Sequence, residues 1–143
     1  MTQAVLDQYL IGTTGEIFPL GNAGGFSGCQ LWRLQGQGGD YCLRRWPTGT
    51  RPDRQRWIHD VLYFAHEHGC HPLVAPLRSR SGCSLVEHAG HCWELTPWAT
   101  GSADFATRPS VDRLKSAIEF LANFHRVTAR YHLKSSVSAN LQQ

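Results

Sequence analysis

The sequence predicts an α+β fold: a five-stranded antiparallel sheet with one flanking helix, joined by a hinge to a further helix. Three observations predict it. Gly21-Asn22-Ala23-Gly24-Gly25-Phe26-Ser27-Gly28 sets four glycines in eight residues, between runs of strand composition. A stretch with apolar residues at helical spacing then separates these runs from a second set of short strand-like runs. Beyond a connector, Leu114, Ala117, Ile118, Leu121 and Phe124 recur three and four residues apart, the pattern of an amphipathic helix.

Taken in order, Gln3 to Leu10 can form a short helix with Val5, Leu6 and Leu10 on one side. Glu16-Ile17-Phe18-Pro19-Leu20 reads as a first strand leading into the glycines. Cys29-Gln30-Leu31-Trp32-Arg33-Leu34 and Tyr41-Cys42-Leu43-Arg44-Arg45-Trp46 read as two more, joined by a turn at Gly36–Asp40, so the three suggest an antiparallel meander. A dinucleotide fold would place a helix straight after its glycines. Here the glycines join two strands of a hairpin, the layout of a loop that folds over phosphates and offers them backbone N–H groups.

Pro52-Asp53 opens the first long helix, with Asp53 as N-cap, and Trp57, Val61, Phe64 and Ala65, with Ile58 and Leu62, supply its apolar face. Gly69 supplies the stop. Leu73-Val74-Ala75, Cys83-Ser84-Leu85-Val86 and Cys92-Trp93-Glu94-Leu95 are short runs that suggest two more strands. Thr96-Pro97-Trp98-Ala99-Thr100-Gly101 reads as a connector, Ser110 as the cap of the last helix, and the chain from Tyr131 onward loses periodicity.

With 143 residues the chain makes one small domain and is too short for two ordinary lobes. A net charge of +3 is too small to argue for nucleic acid. Lys115 and Lys134 are the only lysines, so every cation in the first two thirds of the chain is Arg or His. The cysteines at 29, 42, 70, 83 and 92 are odd in number and form no Cys-x-x-Cys pair, which argues against a zinc knuckle and a secreted disulfide framework. No signal peptide and no membrane-length apolar run are evident, so a reducing cytoplasm is expected.

Local wording narrows the fold. Gly24-Gly25-Phe26-Ser27-Gly28, Tyr41-Cys42-Leu43-Arg44-Arg45-Trp46-Pro47, Trp93-Glu94-Leu95-Thr96-Pro97-Trp98-Ala99-Thr100-Gly101 and Leu121-Ala122-Asn123-Phe124-His125, in this order, resemble the aminoglycoside phosphotransferase and choline kinase-like family. The resemblance covers most of residues 16 to 127 and implies a protein-kinase-like N-terminal lobe over 1–95, a hinge over 96–109 and the first helix of a second lobe over 110–130. Residues 131–143 are left as a frayed tail. Members of that family transfer the γ-phosphate of ATP to a small-molecule hydroxyl, with magnesium ions held by the second lobe. The resemblance implies that Gly24, Gly25, Phe26, Ser27 and Gly28 lie over the triphosphate and that Arg44 pairs with phosphate oxygens. It also implies that Thr96 stands beside the adenine, with Pro97 offering a carbonyl and Ala99 an N–H. ATP and Mg2+ are the implied cofactors.

Three departures stand out. Ala23 occupies the first glycine position of a G-x-G-x-x-G count, and Gln30 stands where an apolar residue usually roofs the base. The helix position expected to carry a Glu for the third-strand cation holds Ile58, with His59 and Asp60 alongside, so either Asp60 substitutes or the ion pair is absent. No His-Gly-Asp loop with its metal-binding Asn and Asp follows His125, so no catalytic residue and no metal ligand is assigned.

Other signals have plainer readings. Alternation puts Arg44 with Trp46 and Leu43 with Arg45 and cannot choose between the two arginines. His66 and His68 are two apart on a helix and point different ways, so a polar helix end fits better than a metal site. The five tryptophans read as core rather than as stacking platforms, so no nucleic-acid partner is expected, nor a membrane. The reading is an ATP-binding lobe, inactive in phosphoryl transfer by itself, with a nucleotide as ligand. Its partner is a separate second lobe or another copy, met through the 114–124 apolar stripe. The alternative is a non-catalytic interaction module derived from the same fold.

Overall fold

A computed structural model describes residues 2–23 and 25–140, with the side chains of residues 13, 14 and 132–140 outside that description. Gly24, one of the expected loop residues, lies outside the described residues, as do 141–143 of the expected tail. The elements run α1 (Thr2–Leu6), β1 (Thr13–Gly21), β2 (Gln30–Gly36), β3 (Gly39–Arg45), α2 (Pro52–Glu67), β4 (Val86–His88), β5 (His91–Pro97) and α3 (Val111–Asn140). All strand pairs are antiparallel, in the order β1-β2-β3-β5-β4. The glycine loop joins β1 to β2, as the hairpin reading expects.

Contacts divide the chain into two compact units, Met1–His59 with Val74–Ala99, and Asp60–Leu73 with Thr100–Gln143. In the first, one face of the sheet buries Leu34, Leu43, Trp93 and Leu95 against Val5, Leu6, Tyr9 and Ile11. Each such large side chain contributes about 1.5–3 kcal/mol on leaving water. Trp93 is fully buried, stacks on Trp32 with ring centroids 5.6 Å apart, and donates its indole N–H to the His88 carbonyl. Just past α1, Tyr9 takes the inward place expected of Leu10, which is exposed because the helix ends at Leu6 and the chain turns away.

The hairpin between β4 and β5 is closed by Ala89 and Gly90, both at positive φ (51° and 74°), the type I′ geometry that matches strand twist. Leu73–Ala75 does not form a strand. Instead the Leu77 N–H reaches the Leu95 carbonyl at 2.7 Å from an irregular segment. β5 extends to Pro97, two residues into the expected connector. The Trp98 N–H bonds the Asp40 carbonyl at 2.9 Å, which leaves Pro97 opposite Tyr41 at a position that needs no N–H, so proline is tolerated there. β1 lies at one edge of the sheet and carries Pro19, with register shifts on either side of Phe18 and Pro19.

α2 starts two residues earlier than an Asp53 cap would place it. Pro52 is its first residue and the Arg51 carbonyl accepts from the Gln55 N–H, so Arg51 rather than Asp53 is the cap; proline fits the first turn because its missing N–H would have had no helical partner. Its apolar face also shifts. Trp57 is about half exposed, contrary to the expected core role, while polar Gln55 and His59 are buried.

In the second unit Phe64, Ala65, Cys70 and Val127 form a small core with Phe120, Phe124 and Tyr131 packed on it. α2 ends in a paired cap: Cys70 N–H to Ala65 O at 2.9 Å and Gly69 N–H to His66 O at 3.3 Å, with Gly69 at φ +102°. α3 begins as expected at Ser110, whose Oγ accepts from the Arg113 N–H. It continues as helix to Asn140, where a frayed tail was expected from Tyr131. Residues 131–140 contain neither Gly nor Pro, and a nucleated helix propagates through such a run at one hydrogen bond per residue fixed. Among the described residues no helix is long and apolar enough to cross a membrane.

Candidate functional site

β3 resolves the choice between neighbouring arginines. Its alternation sends Leu43 to the apolar core and Arg45 to the same side, over the rings of Trp32 and Trp93. Arg44 goes to the opposite face, over Trp46 at 5.4 Å, and there it meets Glu94, its cross-strand partner on β5. Arg44 Nη1 donates to Glu94 Oε1 at 2.7 Å.

Glu94 is the centre of a buried network. Its side chain is only 4% exposed. The Trp46 indole N–H donates to Oε2 at 3.0 Å and His59 Nε2 lies 2.9 Å from the same oxygen. Burial alone would raise the Glu94 pKa. The hydrogen bond from His59, the charge of Arg44 and the Trp46 N–H together outweigh it and hold the carboxyl below its ordinary range. An ionised carboxylate can only accept, so His59 Nε2 carries the proton that faces it. His59 Nδ1 then stands 2.9 Å from Ser84 Oγ, which fixes the ring at both ends.

This network answers the missing helix Glu. The carboxylate that pairs with the third-strand cation comes from β5, and α2 contributes His59 as its hydrogen-bonded support. Asp60 is exposed and is not the partner of Arg44. Glu94 and His59 are the residues that sequence reasoning passed over. A signal was present: Glu94 interrupts the apolar run Cys92-Trp93-Glu94-Leu95, and a charge at that place in a strand requires a buried partner.

The loop residues are placed around the end of β3. Ala23 holds φ +46°, the left-handed conformation glycine would adopt freely, so the degenerate position keeps the backbone shape of a glycine. The Gly25 N–H is donated to the Asn22 carbonyl at 2.9 Å. Phe26 is fully exposed, and Ser27 Oγ accepts from the Cys29 N–H at 3.4 Å. Gly28 has φ +69°, and a Cβ there would stand 3.2 Å from Pro47 Cγ, just past β3. Gln30 accepts from the Arg45 guanidinium. Thr96 and Pro97 face Cys42 and Tyr41 across the β3–β5 ladder, which sets Thr96 two register steps from the Arg44–Glu94 pair, and Ala99 is exposed beyond the strand. Burial pushes the Cys42 thiol up, with Arg44 pulling the other way, and it stays protonated at neutral pH.

The histidine-rich end of α2 has local roles. His68 stacks on Phe64 with centroids 3.9 Å apart, and its Nδ1 bonds the Phe64 carbonyl. Among the described residues no three His, Cys, Asp or Glu side chains stand together in a way that could hold a metal ion. The magnesium implied by the resemblance is assigned no ligand among these residues.

No curated protein matches the chain. Among solved structures, an aminoglycoside phosphotransferase from Alicyclobacillus acidocaldarius subsp. acidocaldarius DSM 446 is similar at 19% identity and a TM-score of 0.55, over 71% of this chain and 27% of that one. A spectinomycin phosphotransferase solved with ADP and spectinomycin is similar at 10% identity and a TM-score of 0.69, over 87% of this chain and 36% of that one. The chain thus spans between a quarter and two fifths of these proteins, and at such identities the likeness is one of fold. The model of the phosphotransferase enzyme family matches residues 20–136. A match over so much of the chain establishes that the chain belongs to the phosphotransferase enzyme family.

Proposed function

We propose that this chain is the nucleotide-binding lobe of a small-molecule phosphotransferase and that it binds ATP without transferring phosphate by itself. The observation that carries the reading is the Arg44–Glu94–His59 network beside a glycine-loop hairpin, in a chain of the phosphotransferase family. In this reading Gly24 to Gly28 cover the phosphates and Arg44, held by Glu94, faces them. Thr96, Pro97 and Ala99 border the base. An arginine anchored by one carboxylate oxygen keeps other N–H groups for a phosphate. The ADP bound to the spectinomycin phosphotransferase agrees with this reading.

The chain contains no His-x-Asp sequence, and phosphoryl transfer needs a base and metal ligands held together. Those groups would come from a second lobe, with Mg2+ bound there. One further observation favours a partner: Leu114, Ile118 and Leu121 on α3 are each about half exposed, and such a stripe is suited to a second lobe or a second copy. The five cysteines are free, which fits a reducing cytoplasm.

Thermal unfolding with and without ATP tests the reading. A ligand at one hundred times its dissociation constant stabilises by about 2.7 kcal/mol, so millimolar ATP is expected to raise the melting temperature by several degrees. No shift at millimolar ATP would overturn nucleotide binding and leave the interaction module.

A further inference from the structure

Two arginine pairs on the sheet differ in how many nitrogens they use. Arg33 on β2 brings both Nε and Nη2 to Asp40, Nε at 2.8 Å, and among the described residues no other side chain donates to that carboxylate. Arg44 on β3 brings Nη1 alone to Glu94, at 2.7 Å. An arginine beside a carboxylate commonly adds a second, parallel N–H···O bond, so the single bond at Glu94 needs a cause.

The cause is the second carboxylate oxygen. Glu94 Oε2 accepts from the Trp46 indole N–H at 3.0 Å and from His59 Nε2 at 2.9 Å. A carboxylate oxygen offers about two lone-pair sites, so these donors fill Oε2 and leave no place for another guanidinium nitrogen. His59 is itself fixed. Its side chain is 2% exposed and Ser84 Oγ stands 2.9 Å from Nδ1, so turning the ring would strand buried polar groups on both sides. Trp46 acts twice, because its ring also lies under the Arg44 guanidinium at 5.4 Å. The Arg44 side chain is 37% exposed, so the N–H groups it does not give to Glu94 stay open to a ligand.

We propose that His59 is a positioning residue for the phosphates that meet Arg44: with Trp46 it fills Oε2, keeps the Arg44–Glu94 pair to one hydrogen bond, and so leaves the remaining guanidinium N–H groups for the ligand. This rests on the nucleotide reading above and adds to it a residue that acts only through Glu94. Without His59, Oε2 takes a second guanidinium nitrogen, and the ligand must compete with the carboxylate for it. A histidine serving the fold alone would change stability and leave the affinity of the folded chain as it is.

Calorimetry with ATP and with adenosine tests this on the parent, His59→Leu, His59→Gln, Arg44→Gln and the His59→Leu/Arg44→Gln double variant. Gln can offer an amide N–H in place of the Nε2 donor; Leu offers none. His59→Leu is expected to weaken ATP about tenfold and His59→Gln less than about threefold, with adenosine unchanged in both. In the Arg44→Gln background His59→Leu is expected to change ATP affinity no further. If His59→Leu does not fold, Trp46→Phe serves in its place, since it removes one donor to Oε2 and keeps an aromatic ring there. It is expected to weaken ATP about threefold with Arg44 present and not in its absence. Unchanged ATP affinity in these variants, or an equal loss with and without Arg44, would overturn the positioning role and leave the nucleotide reading standing. A parent chain that binds no ATP would overturn both.

Discussion

The β3–β5 ladder and the first turns of α3 invert the usual rule of burial in opposite directions. On the ladder a carboxylate, an imidazole and an indole N–H are buried and satisfied around Glu94, with a half-exposed guanidinium at their edge. On α3, Leu114, Ile118 and Leu121 face water. The difference separates two kinds of surface. A polar network with every partner present is complete within its own unit, and its cost of desolvation is already offset. An apolar stripe with half its area in water is complete only when something covers it.

The largest expected effect comes from breaking the complete region. Glu94→Leu removes the acceptor of His59, Trp46 and Arg44 together. It should cost about 3 kcal/mol by urea or thermal denaturation, at the low end for a buried pair because Arg44 retains access to water. A double variant with Arg44→Met should lose less than the sum of the two single changes, and strict additivity would mean the pair does not act as a unit.

Acid offers a second route to the same network. The folded pKa of Glu94 lies below its ordinary value, so its stabilising contribution is present above the usual carboxylate range and disappears as pH falls through the folded value. The stability of Glu94→Gln should therefore fall less steeply in acid than that of the parent; parallel curves would remove Glu94 as a source of acid sensitivity.

Ala23→Gly sharpens the contrast from within the glycine loop. Relief of the left-handed alanine should add about 0.5–1 kcal/mol, after the extra freedom of an unfolded glycine is subtracted. A destabilised Ala23→Gly chain would mean that the loop relaxes out of this conformation. The smallest effect is expected on α3. Leu114→Glu with Ile118→Glu should leave stability within about 0.5 kcal/mol, and a larger loss would show that the stripe is already packed. Alkylation of the cysteines gives an independent check on burial. Cys83, the exposed thiol, should react first, and Cys29 and Cys70 only on unfolding.

Much of the fold could be read from pattern. The hairpin around the glycines, the β2–β3 pair and the start of α3 at Ser110 follow from period-two alternation, turn residues and a capping hydroxyl. Those signals are local. The start of α2 was misplaced by two residues because Pro52 and Asp53 both favour a first turn, and only the Gln55 to Arg51 hydrogen bond separates the alternatives. The candidate site was half legible. Arg44 was singled out by resemblance, but its partner lies fifty residues away on another strand, and the histidine that supports that partner sits on what looked like an apolar helix face. His59 was hidden because a helix wheel scores polar residues as outward, and a buried polar network is the case in which that score fails.

The two rims of the sheet carry one more consequence. At one rim Pro19 withholds an N–H and the register shifts around it bend the strand; at the other, β4 has only three residues. Neither margin is a good template for strand addition, so growth into fibrils through the sheet is disfavoured.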